Sequence, residues 1–190
     1  VELDVIISDA EITYGDWTAE NAKTKLNAIK NIYTISSGAI VTGESASDVF
    51  ELNIDDLGAK LNAGTYAISG AQFNTTASKN YKVTFIGLEG GSTGVLTVNA
   101  KEITIINLAA EDKTYDGTDE ATLTQGTIVG MVEGDDLAYD YEATFTGIDA
   151  GTNYTVNATI TLTGEDAGNY VIAEGGDTVS FTASINRVVL

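Results

Sequence analysis

The chain has 190 residues, enough for one or two small domains, and it contains no cysteine and no histidine. Disulfide bonds, thiolate metal sites and every mechanism that needs a histidine base are therefore excluded. The chain has nine basic and 28 acidic residues. Its formal net charge of −19 at pH 7 repels phosphate backbones and anionic lipid headgroups. We therefore expect neither nucleic-acid binding nor binding to a membrane surface. The sequence has no run of about 18 apolar residues, so we also expect no membrane insertion.

The acidity is uneven along the chain. Residues 1–100 carry 6 Lys and 12 acidic residues, a charge of −6, whereas residues 101–190 carry 3 basic and 16 acidic residues, a charge of −13. Such an excess keeps an extended surface protein soluble. It also provides the second half with carboxylates that a cation site could use.

The first segment with a distinct pattern is TAENAKTKLNAIKN, residues 18–31. It contains three Ala, three Lys and one Leu, which favour helix, and it begins with Thr18, whose hydroxyl suits the N-cap position. The pattern predicts one short helix there.

Three later segments alternate apolar and polar residues with a period of two: YKVTF, YTVNATITL and VSFTASI. This period is typical of half-buried strands, and glycines between the segments favour turns and hairpins. The sequence therefore predicts a mainly β fold of two small antiparallel modules, sandwich-like or β-grasp-like, with the one helix in the first. The predicted buried faces are Tyr81, Val83 and Phe85; Tyr154, Val156, Ala158, Ile160 and Leu162; and Val179, Phe181, Ala183 and Ile185.

The two halves of the chain share short segments in the same order, which predicts an internal repeat. We therefore expect two tandem modules, residues 1–100 and 101–190, joined by a strand without a flexible linker. The final INRVVL is similar to the strand that opens each module, which predicts a longer array. The matching segments are EITYGD with DKTYDG, AGTYAISG with AGTNYTVNAT, and KNYKVTF with GNYVIAE.

The second half resembles the YDG domain of bacterial surface proteins over residues 105–185. The motifs that carry this resemblance are KTYDGT at 113–118, EGDD at 133–136, DAGT at 149–152 and LTGEDAGNY at 162–170. Residues 1–100 are similar to the related MBG domain, which is mostly beta and glycine-rich. That similarity rests on TYGD at 13–16, AGTY at 63–66, NY at 80–81 and GVLTV at 94–98.

The resemblance implies tandem repeats of large secreted adhesins and haemagglutinin-like proteins, exposed at the bacterial cell surface. It implies a stalk, spacer or adhesion role whose partners are the adjacent repeat modules of the same polypeptide, and it carries no catalytic residues. The alternative is a module that itself recognises a host or environmental glycan or a matrix protein. An exposed aromatic such as Trp17 would suit that role.

Motifs that suggest chemistry have simpler structural explanations. GGSTG at 90–94 matches the G-x-S-x-G nucleophile motif, but the absence of histidine favours a hairpin loop between two strands. Asp116-Gly117 is a hairpin-turn dipeptide, beneath which we expect the ring of Tyr115 to pack. Asn80-Tyr81 and Asn169-Tyr170 are each expected to combine a turn residue with a core ring. We predict no enzymatic activity and no cofactor.

Calcium is the one cofactor that the composition leaves open. It binds six to eight oxygen atoms, which loop carboxylates and carbonyls supply. The candidate ligands are Asp116, Asp135 and Asp136, all in the more acidic half.

Overall fold

The computed structural model describes residues 1–88 and 90–189. The chain divides into two compact units, Val1–Ala100 and Lys101–Leu190. Strands account for 47% of the residues and helices for 11%. This confirms the mainly β fold.

The first unit contains two small sheets. Its strands are β1 Glu2–Ile7, β2 Ala10–Thr13, β3 Tyr33–Ser37, β4 Phe50–Ile54, β5 Gly64–Gln72, β6 Lys82–Gly87 and β7 Gly94–Asn99. One sheet has the order β3-β1-β6 and the other β2-β7-β5-β4. The helical segments are α1 Ala19–Asn27, α2 Ala46–Val49 and a 3₁₀ turn at Ser78–Asn80.

The second unit also contains two small sheets. Its strands are β8 Lys101–Ile106, β9 Lys113–Thr114, β10 Thr127–Val129, β11 Ala138–Phe145, β12 Gly151–Thr163, β13 Tyr170–Ile172 and β14 Thr178–Asn186. The sheet orders are β10-β8-β13 and β11-β12-β14-β9, and a 3₁₀ turn at Ala167–Asn169 precedes β13.

Both units arrange their strands in the same order. Counted within each unit, the third, first and sixth strands form one sheet, and the second, seventh, fifth and fourth form the other. In both, the first strand is parallel to the sixth and antiparallel to the third, and the second is parallel to the seventh.

The parallel pairs depart from the predicted antiparallel modules. Local alternation shows which side chains are buried but not the direction of the neighbouring strand, and each parallel pair joins strands that are distant in sequence. The expected hairpin around GGSTG is also wrong, because β6 and β7 belong to different sheets.

The predicted helix is confirmed as α1. Thr18 accepts a hydrogen bond from the Asn21 N–H at 3.4 Å, the Asn21 side chain accepts one from the Thr18 N–H at 3.0 Å, and Ala22 and Leu26 are buried. The sequence did not predict α2. Its four residues are too few to show helical periodicity.

Aromatic rings connect the two sheets of the first unit. The Phe50 ring meets the rings of Tyr33 and Phe85 edge-on, with centroids 5.1 and 5.5 Å apart. Gly70 permits this contact, because a Cβ there would lie 2.1 Å from the Phe85 ring. The buried centre of the cluster is Leu3, Val5, Val49, Phe50 and Tyr81.

The core of the second unit follows the predicted alternation. Along β12, Val156, Ala158 and Ile160 are buried, and the polar residues between them are exposed. The core cluster is Leu123, Phe145, Val156, Ala158, Ala183 and Ile185.

Candidate functional site

The KTYDGT motif forms a loop, residues 113–118, that is organised around the ammonium group of Lys113. This group donates to Asp116 Oδ1 at 2.8 Å, to the carbonyl and hydroxyl oxygens of Thr118 at 2.9 Å each, and to the Glu120 carbonyl at 3.0 Å. The side chain is 17% exposed and lies over the Phe145 ring, 5.7 Å from its centroid. Lys113 therefore anchors the loop to the core.

Asp116 closes the turn of this loop, as predicted. Its Oδ1 accepts hydrogen bonds from the N–H and the hydroxyl of Thr118, both at 2.9 Å, and Gly117 has a φ of +79°. The hydrogen bond from Lys113, followed by those from Thr118, lowers the pKa of Asp116 to about 2.

One detail of the predicted turn is wrong. The turn does not join a hairpin, because β9 pairs with β14 and not with the next strand along the chain. Tyr115 is 41% exposed, and its hydroxyl oxygen lies 4.0 Å from the position that a Cβ at Gly117 would take. Its side chain therefore lies beside the turn without being enclosed by it, and Lys113 covers the core ring of Phe145.

Tyr170 connects two of the motif segments. Its hydroxyl donates to the carboxylate of Asp135 and accepts a hydrogen bond from the Val132 N–H at 2.9 Å. Tyr170 directly follows the 3₁₀ turn and is 6% exposed. The prediction of a core ring after a turn residue is confirmed, but the partly buried hydroxyl–carboxylate pair was not predicted.

The first unit contains the same arrangement. The Tyr81 hydroxyl donates to Glu44 Oε2 at 2.5 Å and accepts from the Val41 N–H at 2.9 Å. The hydrogen bond to Glu44, together with burial, raises the pKa of Tyr81. In both units the acid ends a four-residue turn, VTGE or VEGD, whose glycine has a positive φ. This repeated spacing is the sequence signal that could have identified the pairs.

Asp136 joins the EGDD turn to the GEDAGNY segment. The Asp136 N–H donates to Asp166 Oδ2 at 2.9 Å, and the Asp136 carbonyl accepts from the Asp166 N–H at 3.0 Å. The Glu165 N–H donates to Asp136 Oδ2 at 3.3 Å. Gly164 allows the close approach, because a Cβ there would lie 2.4 Å from the Asp136 carbonyl oxygen.

The DAGT motif shapes the packing of one ring. A Cβ at Gly151 would lie 2.9 Å from the Tyr154 ring, and one at Gly147 would lie 2.6 Å from it. The Tyr154 ring in turn meets Phe145 edge-on, with centroids 6.4 Å apart. The motif therefore supports the core beside β12.

Comparison with known families accounts for these motifs. Residues 99–180 match the family model of the YDG domain. The four motifs lie within the YDG domain, and each of them forms local hydrogen bonds or close packing. No curated protein matches the chain.

One solved structure is similar only at a low level. A crystal structure of Drosophila N-cadherin EC1-3 aligns with 98% of this chain over 68% of the cadherin chain, at 11% sequence identity and a TM-score of 0.21. A TM-score this low supports no conclusion about the fold.

The predicted calcium ligands lie in two different places of the YDG domain. Asp116 belongs to the loop of residues 113–118, whereas Asp135 and Asp136 belong to the EGDD turn. Over residues 1–88 and 90–189, no three Asp or Glu side chains are grouped so that they could hold a metal ion. The structure therefore does not gather the three carboxylates into one cluster.

Trp17, the candidate ligand residue, lies outside the YDG domain, in the turn between β2 and α1. It is half-buried, and it follows Asp16, whose carboxylate accepts a hydrogen bond from the Thr13 N–H at 2.9 Å. The Asp16 carbonyl also accepts from Lys25 Nζ at 2.7 Å, which ties the turn to the helix. Trp17 is thus partly accessible on a turn that two hydrogen bonds hold in place.

Proposed function

We propose that this chain is a pair of tandem repeats from a bacterial cell-surface protein, acting outside the cell as a stalk, spacer or adhesion module. The observation that carries the proposal is the common strand order of the two units, one of which matches the YDG domain. Repetition of one small unit builds a long protein when each unit contacts only its neighbours. The first unit would be the related MBG-type repeat.

The polar groups of the motifs support a non-enzymatic role. Lys113 and Asp116 bind each other and the loop backbone, and Tyr170 binds Asp135. Groups that hold loops in this way are not presented to a substrate. No helix in the described part of the chain is both long and apolar enough to cross a membrane.

The second candidate function is direct recognition of a glycan or a matrix protein. The observation in its favour is the half-buried Trp17, because indole rings stack on sugars and fill interface pockets. If Trp17 is part of such a site, its fluorescence will change on ligand addition. A purely structural Trp17 will show emission that no ligand alters.

Two experiments test the proposal. Antibodies raised against the chain are expected to label intact, unpermeabilised cells of the source organism, and labelling only after permeabilisation would contradict a surface location. The purified chain is then applied to immobilised glycans and matrix proteins, with calcium and with a chelator. A spacer is expected to bind none of them, whereas saturable binding to one would establish the adhesive function.

A further inference from the structure

A groove in the second unit runs between residues 123–128 and β11, and we refer to it as the β11 groove. Its volume is about 630 Å³, and its lining includes Leu123, Gly126, Ile128, Met131, Tyr139 and Tyr141. Met131 is 42% exposed and Tyr141 is 37% exposed. The groove therefore presents apolar surface to solvent.

One wall of the β11 groove is a sheet edge, because β11 is an outer strand of its sheet. The C-terminal part of this edge is paired within the chain. The Ala143 carbonyl accepts from the Ala121 N–H at 3.0 Å, and the Phe145 N–H donates to the Asp119 carbonyl at 2.7 Å. Odd-numbered residues of β11 thus direct their backbone groups outward.

The same alternation applies to the N-terminal part of the strand, since β11 pairs with β12 without a register shift. The N–H and C=O groups of Tyr139 and Tyr141 therefore also point outward. The described parts of the chain provide no backbone partner for these groups on that side. This stretch of edge is open to a further strand.

The opposite wall is held away from the strand by two side chains. The Tyr139 hydroxyl accepts from the Gly126 N–H at 2.6 Å, and the Tyr141 hydroxyl accepts from the Leu123 N–H at 3.1 Å. The two tyrosines therefore keep residues 123–128 at a distance from the β11 backbone of about one tyrosine side chain. The result is a slot with an open strand edge on one side and apolar residues along its lining.

The corresponding edge in the first unit is closed. The Asn27 side chain donates to the Leu52 carbonyl at 2.9 Å and accepts from the Leu52 N–H at 3.1 Å. The Phe50 N–H donates to the Ala46 carbonyl of α2. Helices therefore occupy the edge of β4, whereas the described residues of the second unit include no α-helix that could cover β11 in this way.

Charge indicates the kind of strand that would fit. Asp140 and Glu142 alternate with the tyrosines along β11, and Asp119 and Glu120 lie beside its paired end. We propose that the β11 groove binds an extended peptide that alternates apolar residues with Lys or Arg and adds to β11 as a further strand. Backbone hydrogen bonds would supply affinity, and the apolar lining and the carboxylates would supply selectivity. This inference does not depend on the surface role proposed above.

Two variants of one residue test the role of the edge. Tyr139→Ala and Tyr139→Pro both lose the side chain, but only proline loses the outward N–H. The pairing with β12 uses the even-numbered residues, so both variants are expected to fold. The probe is a fluorescent synthetic peptide that alternates Lys and Val, with matched peptides that carry Glu for Lys or a central Pro.

The Lys-Val peptide is expected to bind the native chain saturably, more weakly as the ionic strength rises, and the other two peptides are not. Tyr139→Pro is expected to weaken binding at least about fivefold relative to Tyr139→Ala, since a backbone hydrogen bond is lost. Peptide binding should also slow hydrogen exchange at the Tyr139 and Tyr141 amides of the native chain. This last measurement tests the proposal even if the proline variant does not fold.

Three results would overturn the proposal. The first is an absence of binding by the Lys-Val peptide to folded protein. The second is equal affinity of Tyr139→Pro and Tyr139→Ala together with unchanged amide exchange. The third is self-association of the native chain in sedimentation that Tyr139→Pro abolishes, because the occupant of the edge would then be a second copy.

Discussion

The hydroxyl of Tyr170 donates a hydrogen bond to the carboxylate of Asp135, a residue 35 positions earlier in the chain. The same hydroxyl accepts from the Val132 N–H, so one side chain satisfies a backbone donor and a carboxylate of the EGDD turn. In the first unit Tyr81 relates in the same way to Val41 and Glu44. In each unit, these contacts hold the connection between the third and fourth strands against the start of the sixth strand.

Removing this hydroxyl should destabilise the second unit. Tyr170→Phe leaves the Val132 N–H and the Asp135 carboxylate without this partner, and we expect a loss of about 1–3 kcal/mol in the free energy of unfolding. Urea denaturation followed by circular dichroism measures the change. Tyr115→Phe is the matched control because Tyr115 is exposed, and a loss there of similar size would contradict the assignment.

The first unit should lose stability in alkali through Tyr81. Its pKa is raised in the folded state by Glu44 and by burial, so its contribution is fully present below pH 10, the ordinary value. The contribution is lost as the pH rises through the raised pKa of the folded state. The stability difference between the native chain and Tyr81→Phe should therefore shrink above pH 10. A difference that stays constant across this range would contradict the prediction.

Sequence reasoning succeeded where the signal is local. The alternation along β12 and β14 placed Val156, Ala158, Ala183 and Ile185 in the core correctly, and Thr18 marked the start of α1. Each of these features depends on residues at most a few positions apart. Period and capping rules act over that distance.

The features that sequence reasoning missed depend on residues that are distant in the chain. The parallel pairing of β1 with β6 and of β8 with β13 has no local signature. The partner of Tyr170, Asp135, is also distant in the chain, and only the comparison of the VTGE and VEGD turns of the two halves could have indicated it. The position of Lys113 over the Phe145 ring was also unpredictable, because the two residues are far apart in the chain.

The carboxyl group of Asp116 should titrate well below its ordinary range. Its pKa is about 2 because Lys113 and Thr118 donate hydrogen bonds to the ionised form. This contribution to stability is present above the ordinary pKa of 3.8 and is lost as the pH falls from about 4 to about 2. Carbon-detected NMR titration measures the pKa directly.

Lys113→Met separates the two donors to Asp116. Methionine keeps most of the apolar stem over the Phe145 ring but removes the ammonium group. The pKa of Asp116 should then rise towards its ordinary value. It should stay somewhat below that value, because the hydrogen bonds from Thr118 still stabilise the ionised carboxylate. An unchanged pKa in this variant would mean that Lys113 does not hold the carboxylate in solution.

Gly164 should tolerate no side chain. Its φ of +103° is strained for other residues, and a Cβ would lie 2.4 Å from the Asp136 carbonyl oxygen. We expect Gly164→Ala to destabilise the second unit by about 2 kcal/mol or more, because the backbone strain alone costs about 1–3 kcal/mol. Thermal or urea denaturation measures the loss.

Gly168→Ala is the control in the same segment, because a Cβ at Gly168 would meet no atom within 4 Å. The free energy of unfolding of this variant should stay within about 0.5 kcal/mol of the native value. A slight increase is also consistent, because alanine lowers the conformational entropy of the unfolded chain. If the two alanine variants are equally stable, the close contact between Gly164 and the EGDD turn does not exist in solution. If only Gly164→Ala is destabilised, the contact that joins EGDD to GEDAGNY is a requirement of the fold.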